Sequence, residues 1–267
     1  MTDAAAVPSH DRIAVAVIGG SGFYELFDAV DVIDVETPYG PPSGPVSVGT
    51  IATASGPRNV AFLARHGVAH HVPPHRINYR ANIWALHSLG VRRIIGPCAS
   101  GSLRADIAPG DVVICDQFVD ATSGREGTFF DGPDVRHASI ADPYCPELNA
   151  LLGAAARSEG FTVHADATVV VIPGPRFATR AESRTYRTLG YDLINMTQCP
   201  EVALAREMGM CYSMVALITD YDSGLDDRPD VGAVNQQDVF ALYGANVHRL
   251  RAAIESTLVS SGASPSC

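Results

Sequence analysis

An α/β fold in a single domain is what this sequence predicts. Three observations lead there. Short β-rich apolar runs alternate with helix-length stretches, the apolar runs end in Gly-rich loops, and 46% of the 267 residues are hydrophobic, enough for one large core. Residues 1–12 are polar, carry acidic side chains and read as a disordered tail, which leaves 13–260 as the domain.

The elements follow in order. Residues 13–18 form a β-rich run closed by Gly19-Gly20-Ser21-Gly22. Residues 46–51 and 60–64 read as two further strands, separated from the first by PYGPPSGP at 38–45, too rich in Pro and Gly for regular structure. Residues 77–89 predict a helix, with Ile77, Ala81, Trp84 and Ala85 on one face and Gly90 as its stop. Ile94-Ile95 then runs into what reads as a turn, Gly96 to Ser102. A strand at 112–119 precedes a long irregular stretch at 120–145, and loops of that length are usually functional or cover an interface. A helix at 146–160 and a strand at 168–172 lead to Pro173-Gly174-Pro175-Arg176. Thr179 with Glu182 makes a capping box that opens the next helix. Leu193-Ile194 is a short strand, Pro200 starts a helix that Gly209 ends, residues 211–219 form a buried strand, and a final helix runs over about 236–259.

Composition narrows the function. A net charge of −10 argues against nucleic-acid or membrane-surface partners. The six cysteines form no CxxC pair and no zinc-like spacing, and most sit in or beside apolar runs as small core side chains. Residues 1–12 do not read as a signal peptide, and no apolar run reaches the length of a membrane span. Reduced thiols and the missing export signal together point to the cytoplasm.

The chemistry concentrates at strand ends. Leu217-Ile218-Thr219-Asp220-Tyr221-Asp222 ends an apolar run in two carboxylates, where α/β folds place ligands. Such a pair accepts hydrogen bonds and, if one member is protonated, donates a proton. Gly19-Gly20-Ser21-Gly22 fails the dinucleotide fingerprint, because Glu25 stands at the third glycine position, and no Walker A motif occurs. Backbone N–H groups and Ser21 suit a single phosphate; a plain strand-to-helix turn is the other reading. Arg65-His66 offers a forked cation and a second donor, or an ordinary ion pair. His70, His71 and His75 lack the carboxylate or Cys spacing of a metal site. Asn195-Met196-Thr197 puts an amide, a thioether and a hydroxyl in one short turn, or a helix cap beside core filler. Phe177 is a stacking platform or a core aromatic. GxSxG is absent, and nothing suggests a Ser–His–Asp or Cys–His nucleophile. Phosphate itself suits the role of nucleophile.

These residues resemble a known family. Ile18-Gly19-Gly20-Ser21-Gly22, Leu63-Ala64-Arg65-His66-Gly67, Asn78-Tyr79-Arg80-Ala81-Asn82-Ile83-Trp84-Ala85-Leu86, Gly174-Pro175-Arg176-Phe177, Asn195-Met196-Thr197 and Thr219-Asp220-Tyr221-Asp222 are similar, in order and spacing, to the trimeric purine nucleoside phosphorylases, and most of all to their 5′-methylthioadenosine branch. The resemblance implies a mixed, distorted-barrel sheet flanked by helices, a homotrimer, and phosphorolysis of a purine nucleoside with inorganic phosphate as co-substrate and no metal or organic cofactor. It implies that Ser21, Arg65, His66, Cys98, Ala99 and Thr197 hold phosphate. Met196 and Asn195 would then meet the ribose, Phe177 and Ala178 the base, and Asp220 and Asp222 would read and protonate a 6-aminopurine. Val239 would face a 5′-methylthio group. Gln236 stands one turn earlier where an aliphatic is expected, which would admit a 5′-hydroxyl or a water and, with Ala178, motivates methylthioinosine, inosine or adenosine as the alternative substrate, and His137 would reach a neighbour's 5′ pocket. Cys98 replaces a Thr frequent in the family, and Ala178 a hydroxyl. A non-catalytic nucleoside-binding module is the reading from a different class.

Overall fold

The computed structural model describes residues 13–20, 23, 31–225 and 231–262. The expected tail, Ser21, Gly22, Glu25 and residues 226–230 of the polar loop before the last helix lie outside them. The strands are β1 (Val15–Gly19), β2 (Asp31–Ile33), β3 (Val46–Thr53), β4 (Gly56–Ala64), β5 (Arg93–Ser102), β6 (Val112–Asp120), β7 (Val163–Val171), β8 (Leu193–Asn195) and β9 (Cys211–Asp220). The helices are α1 (Tyr79–Ser88), α2 (Pro146–Ser158), α3 (Arg180–Thr188), α4 (Gln198–Glu207) and α5 (Gln236–Ser260).

β1 explains why its sequence is apolar throughout. Ala16 and Ile18 join a core shared with Ile83 and Leu86 of α1 and Val202 and Leu204 of α4. Val15 and Val17 face a second core with Leu152 of α2 and Leu250 and Ile254 of α5. A strand covered on both faces has no polar side to alternate with. The sheet runs β2-β3-β4-β1-β5-β8-β7-β6-β9, and β9 also pairs with β5. That last pairing closes β5, β8, β7, β6 and β9 into a barrel. β1 runs parallel to β4 and β5, and β5 parallel to β9, while β5 is antiparallel to β8 and β9 antiparallel to β6. The sheet is mixed and barrel-like, as expected.

Four expectations need correction. The predicted turn at 96–102 is the second half of β5, a strand with three neighbours. Its residues are small because of close approach: a Cβ on Gly96 would lie 1.9 Å from the Tyr212 hydroxyl. β2 is short and mostly exposed, so it carries no apolar signal. The α1 face is set by Tyr79, Ala81, Asn82, Ile83, Ala85 and Leu86, with Trp84 only half-buried. Asn82 is buried because its amide bonds Ser43, pinning the Pro/Gly-rich stretch. Finally, Cys98, Cys115, Cys145 and Cys199 are free thiols, but Cys211 is disulfide-bonded, so the expectation of reduced thiols does not hold for it.

The capping box at Thr179 and Glu182 forms as predicted. The 121–145 stretch has no helix or strand, also as predicted. Among the described residues no helix is long and apolar enough to cross a membrane.

Candidate active site

Parallel pairing carries the C-terminal ends of β4, β1, β5 and β9 to the same edge of the sheet, where open α/β sheets hold ligands. β8 runs antiparallel to β5 and brings Asn195 against Ala99 and Ser100 from the far side. These ends, with the Pro173 turn and α5, enclose a cavity of about 200 Å³. Arg65, His66, Cys98, Ala99, Phe177, Ala178, Asn195, Met196, Thr197, Asp220, Asp222 and Val239 all line it. Twelve of the residues singled out in the sequence are thus brought together around one cavity.

Arg65 is 1% exposed and is not a free arm. Its Nε and Nη2 donate to the two carboxylate oxygens of Glu201, both at 2.8 Å; Nη1 donates to Pro97 O at 3.0 Å and Nη2 to Ile18 O at 2.7 Å. Four of its five N–H donors are thus used inside the protein, leaving one on Nη1. Burial alone would lower its pKa, but the Glu201 carboxylate outweighs burial and holds the guanidinium well above its usual range. The Tyr212 hydroxyl donates to Glu201 Oε1 at 2.5 Å and completes the pair.

His66 also departs from its expected role as a donor. Its Nδ1 lies 2.9 Å from Val72 O, and a carbonyl can only accept, so Nδ1 carries the proton. Burial, then the Arg65 charge, pushes its pKa down to about 4. The ring is neutral at pH 7 and leaves Nε2 as an acceptor. Cys98 is likewise a neutral thiol, pushed up to about 11 by burial.

Asn195 lines the cavity, but its polar atoms are committed to the frame. Its Nδ2 donates to Ala99 O at 3.1 Å, and its Oδ1 accepts from the N–H groups of Thr197 at 2.7 Å and Gln198 at 3.0 Å. Thr197 stands at the N-cap position of α4, as its alternative reading had it, but makes no side-chain capping bond, and Asn195 Oδ1 takes the free N–H groups instead. Opposite, Gly174 has φ +63°, and a Cβ there would sit 2.6 Å from Met196 Sδ, so only glycine lets the Pro173 turn close over the thioether. Phe177 stands at the rim, 36% exposed.

Asp220 is the last residue of β9 rather than past its end, and Asp222 follows in the turn. The register against β5 shifts between Ser100 and Gly101, so that Gly101 faces Asp220 and Thr219 bulges. A bulge re-aims side chains, and here the adjacent Thr219 and Asp220 both face the cavity. Asp220 Oδ1 accepts the Asp222 N–H and Oδ2 the Thr219 hydroxyl, both at 2.7 Å. Burial pushes Asp220 up to about 6, against those two hydrogen bonds and with a small push from Asp222. Burial also raises Asp222, opposed by Ser183, the Ser223 backbone and the Arg187 charge. Asp222 is 2% exposed, and neither its Oδ2 nor the Ser183 hydroxyl has a hydrogen-bond partner, although Ser183 favours the ionised form of Asp222.

Ser21 lies outside the described residues, and two other expected residues do not line this cavity. Gln236 opens α5, is exposed, and the lining begins one turn later at Val239. His137 is exposed on the 121–145 stretch and does not line the cavity of its own chain. The sequence reading missed Phe240 and Tyr243, which share Val239's side of α5, and the cavity-facing role of His70. His70 stacks on His66 with centroids 4.6 Å apart and meets the edge of Phe240 at 5.8 Å. The spacing 236, 239/240, 243 on one helix face was the available signal. Among the described residues no group of three His, Cys, Asp or Glu is placed to hold a metal ion.

Residues 14–255 match the sequence model of the phosphorylase superfamily. The chain belongs to this superfamily. Within it, the chain is 53% identical to an S-methyl-5′-thioadenosine phosphorylase of Mycolicibacterium smegmatis, over 87% of this chain and 85% of the relative. It is 48% identical to a purine nucleoside phosphorylase of Streptomyces coelicolor, over 90% and 86%. Among solved structures, a Schistosoma mansoni methylthioadenosine phosphorylase in complex with adenine superposes with a TM-score of 0.84 at 36% identity, covering 92% of this chain and 90% of that one. The resemblance read from the motifs thus holds for both the superfamily and its fold.

Proposed function

We propose that this phosphorylase cleaves 5′-methylthioadenosine with inorganic phosphate, giving adenine and 5-methylthioribose 1-phosphate. The observation that carries the reading is the raised, cavity-facing Asp220 in the same cavity as Arg65, His66 and Thr197. Phosphate oxygen attacks C1′ while the bond from C1′ to the base nitrogen breaks. The bonding electrons pass to the purine, and Asp220 delivers its proton to N7. Phosphate takes the remaining Nη1–H of Arg65 and the Thr197 hydroxyl, and its own P–OH donates to His66 Nε2. Asp222 accepts from the exocyclic amine, which a 6-oxo purine cannot supply. No cofactor takes part in the proposed reaction, so chelator-treated protein should keep its activity.

The 5′ end of the sugar meets Val239, Phe240, Tyr243 and neutral His70. That wall is mainly apolar and suits a methylthio group. Gln236, the residue behind the sequence argument for a 5′-hydroxyl, does not line the cavity. The name of the Streptomyces relative keeps inosine and adenosine in view as substrates. A panel of methylthioadenosine, methylthioinosine, adenosine and inosine, with and without phosphate, decides by the base released. Phosphate-dependent adenine release from methylthioadenosine is expected. Nucleoside binding without phosphate-dependent turnover would overturn the reading in favour of a binding module.

The same proposal includes a cytoplasmic homotrimer in which His137 reaches a neighbour's cavity. Val135 is 67% exposed and Ile140 37%, on the stretch that bears His137, which supports a covered surface there. A trimeric mass by light scattering is expected, and a monomeric mass at working concentration would refute it.

A further inference from the structure

Arg125 does not line the cavity, yet it touches three of the segments that do or that flank them. Its Nη1 donates to Cys199 O at 2.5 Å. Its Nη2 donates to Pro173 O at 2.8 Å and Met196 O at 2.9 Å, with Ile172 O farther off at 3.4 Å. Its guanidinium carbon lies 5.2 Å from the centre of the Tyr79 ring, and the Tyr79 hydroxyl donates to Pro74 O, another cavity residue, at 3.0 Å.

The position of these carbonyls explains the need for such a group. β7 ends at Val171 and β8 at Asn195. The Ile172 N–H to Asn195 O bond, at 2.9 Å, continues the β7–β8 pairing one residue further. Beyond it the two chains part to form opposite walls: Pro173 leads to Phe177 and Ala178, while Met196 leads to Thr197 and α4. Sheet pairing no longer fixes their separation. A planar fork with several donors can do so, and a lysine ammonium cannot match that geometry.

We propose that Arg125 is a positioning residue that clamps the turn leading to Phe177 to the Met196-Thr197 turn, and so holds the base and sugar subsites in register. The effect on catalysis rests on the phosphorylase reading above; the clamp itself does not. Arg125 belongs to the irregular 121–145 stretch, so the clamp also gives that stretch a part in building the site.

The test uses the full-length protein and two variants, Arg125→Ala and Arg125→Lys. Amide hydrogen exchange needs no substrate, and both variants should exchange faster than wild type at 172–178 and 196–199, with β1 and β9 unchanged. Misplacement of about 1 Å costs up to roughly 100-fold, so kcat/KM for the nucleoside should fall on the order of 10- to 100-fold. The KM for phosphate should rise less than nucleoside kcat/KM falls, because of the proposed phosphate ligands Arg65, His66 and Thr197 only Thr197 lies on a segment that Arg125 holds. If Arg125→Ala does not fold, Arg125→Lys carries the test. Exchange and nucleoside kcat/KM both unchanged in Arg125→Lys would overturn the proposal. An equal loss toward nucleoside and phosphate would overturn its link to the base and sugar subsites. A wild type that releases no base would sink the phosphorylase reading, and the exchange data would still decide the clamp.

Discussion

Asp220 holds its raised pKa at a cost in stability, and replacing it should make the protein more stable and less active. Its folded pKa is about 6 against an ordinary value of 3.8, mainly from burial. The sign follows from proton counts. Between pH 3.8 and 6 the folded protein holds a proton at this site that the unfolded chain has lost, so stability falls as pH rises through that window. Above pH 6 the penalty is complete, and about 2 units at 1.36 kcal/mol each make it roughly 2–3 kcal/mol. Asp220→Asn removes the titration and can keep the local bonds. The amide oxygen still accepts the Asp222 N–H, and the amide nitrogen donates to Thr219, whose hydroxyl turns to Ser100 O, now 3.4 Å away. Thermal unfolding should place Asp220→Asn roughly 4–10 °C above wild type at pH 7.5, with the gap closing near pH 4. In the same preparation, loss of the general acid should cut adenine release by about 100- to 10,000-fold. A melting difference independent of pH, or a variant less stable at pH 7.5, would refute the burial argument. Unchanged turnover would remove Asp220 as the acid.

Three further outcomes are expected. Arg65→Ala and Glu201→Ala should each lose about 3–5 kcal/mol in urea unfolding, because each strands a buried charge, and the double variant should lose less than the sum; additive losses would mean that the pair is not coupled. Gly101→Ala places a Cβ 2.8 Å from Asp220 Oδ1 and 2.9 Å from Ile194, and should cost about 1–3 kcal/mol in the same assay together with most of the activity; wild-type turnover would show that Asp220 has room to move. For His66, nitrogen chemical shifts should report a neutral ring protonated at Nδ1 down to a pH of about 4, and a ring that titrates near 6.5 would contradict the buried geometry.

Where one strand's own residues determined it, the fold was legible. β1 and β9 are covered on both faces, so their sequences are mostly apolar runs, β9 broken by Ser213. β5 was read as a strand entering a turn, because Gly96, Pro97 and Gly101 look like turn formers. They are small to admit the Tyr212 hydroxyl at Gly96 and the Asp220 carboxylate at Gly101. A propensity argument cannot see a neighbour more than a hundred residues away. Barrel closure was expected only through the family resemblance, since nothing in β9 itself announces that it pairs with both β5 and β6. At the cavity, single residues could be singled out from the sequence and their partners could not. Arg65 was legible as a cation at a strand end, but Glu201 lies 136 positions along the chain. Asn195 was legible as polar and near a helix start, but its capping role needs the geometry of the turn. Arg125 left no signal, because its acceptors are backbone carbonyls, which any sequence has.

The two partners hidden from the sequence change the electrostatics of the proposed reaction. A free Arg65 beside phosphate would neutralise the anion. Paired with Glu201, the guanidinium brings almost no net charge to the cavity and presents one N–H. His66 adds none, because it is neutral. In the proposed reaction phosphate would therefore be held by oriented hydrogen bonds and keep most of its negative charge. That charge would serve the next step, because the bond to the base breaks through a sugar that carries positive charge, and an anion beneath C1′ stabilises it. At the far end the requirement reverses. The departing purine gains negative charge, so a proton must be available, and burial leaves Asp220 as the group that can hold one near neutrality. The same low-polarity surroundings thus keep His66 without a proton and help Asp220 to retain one. The proton inventory of the cavity follows from burial acting in opposite directions on an imidazole and a carboxylate.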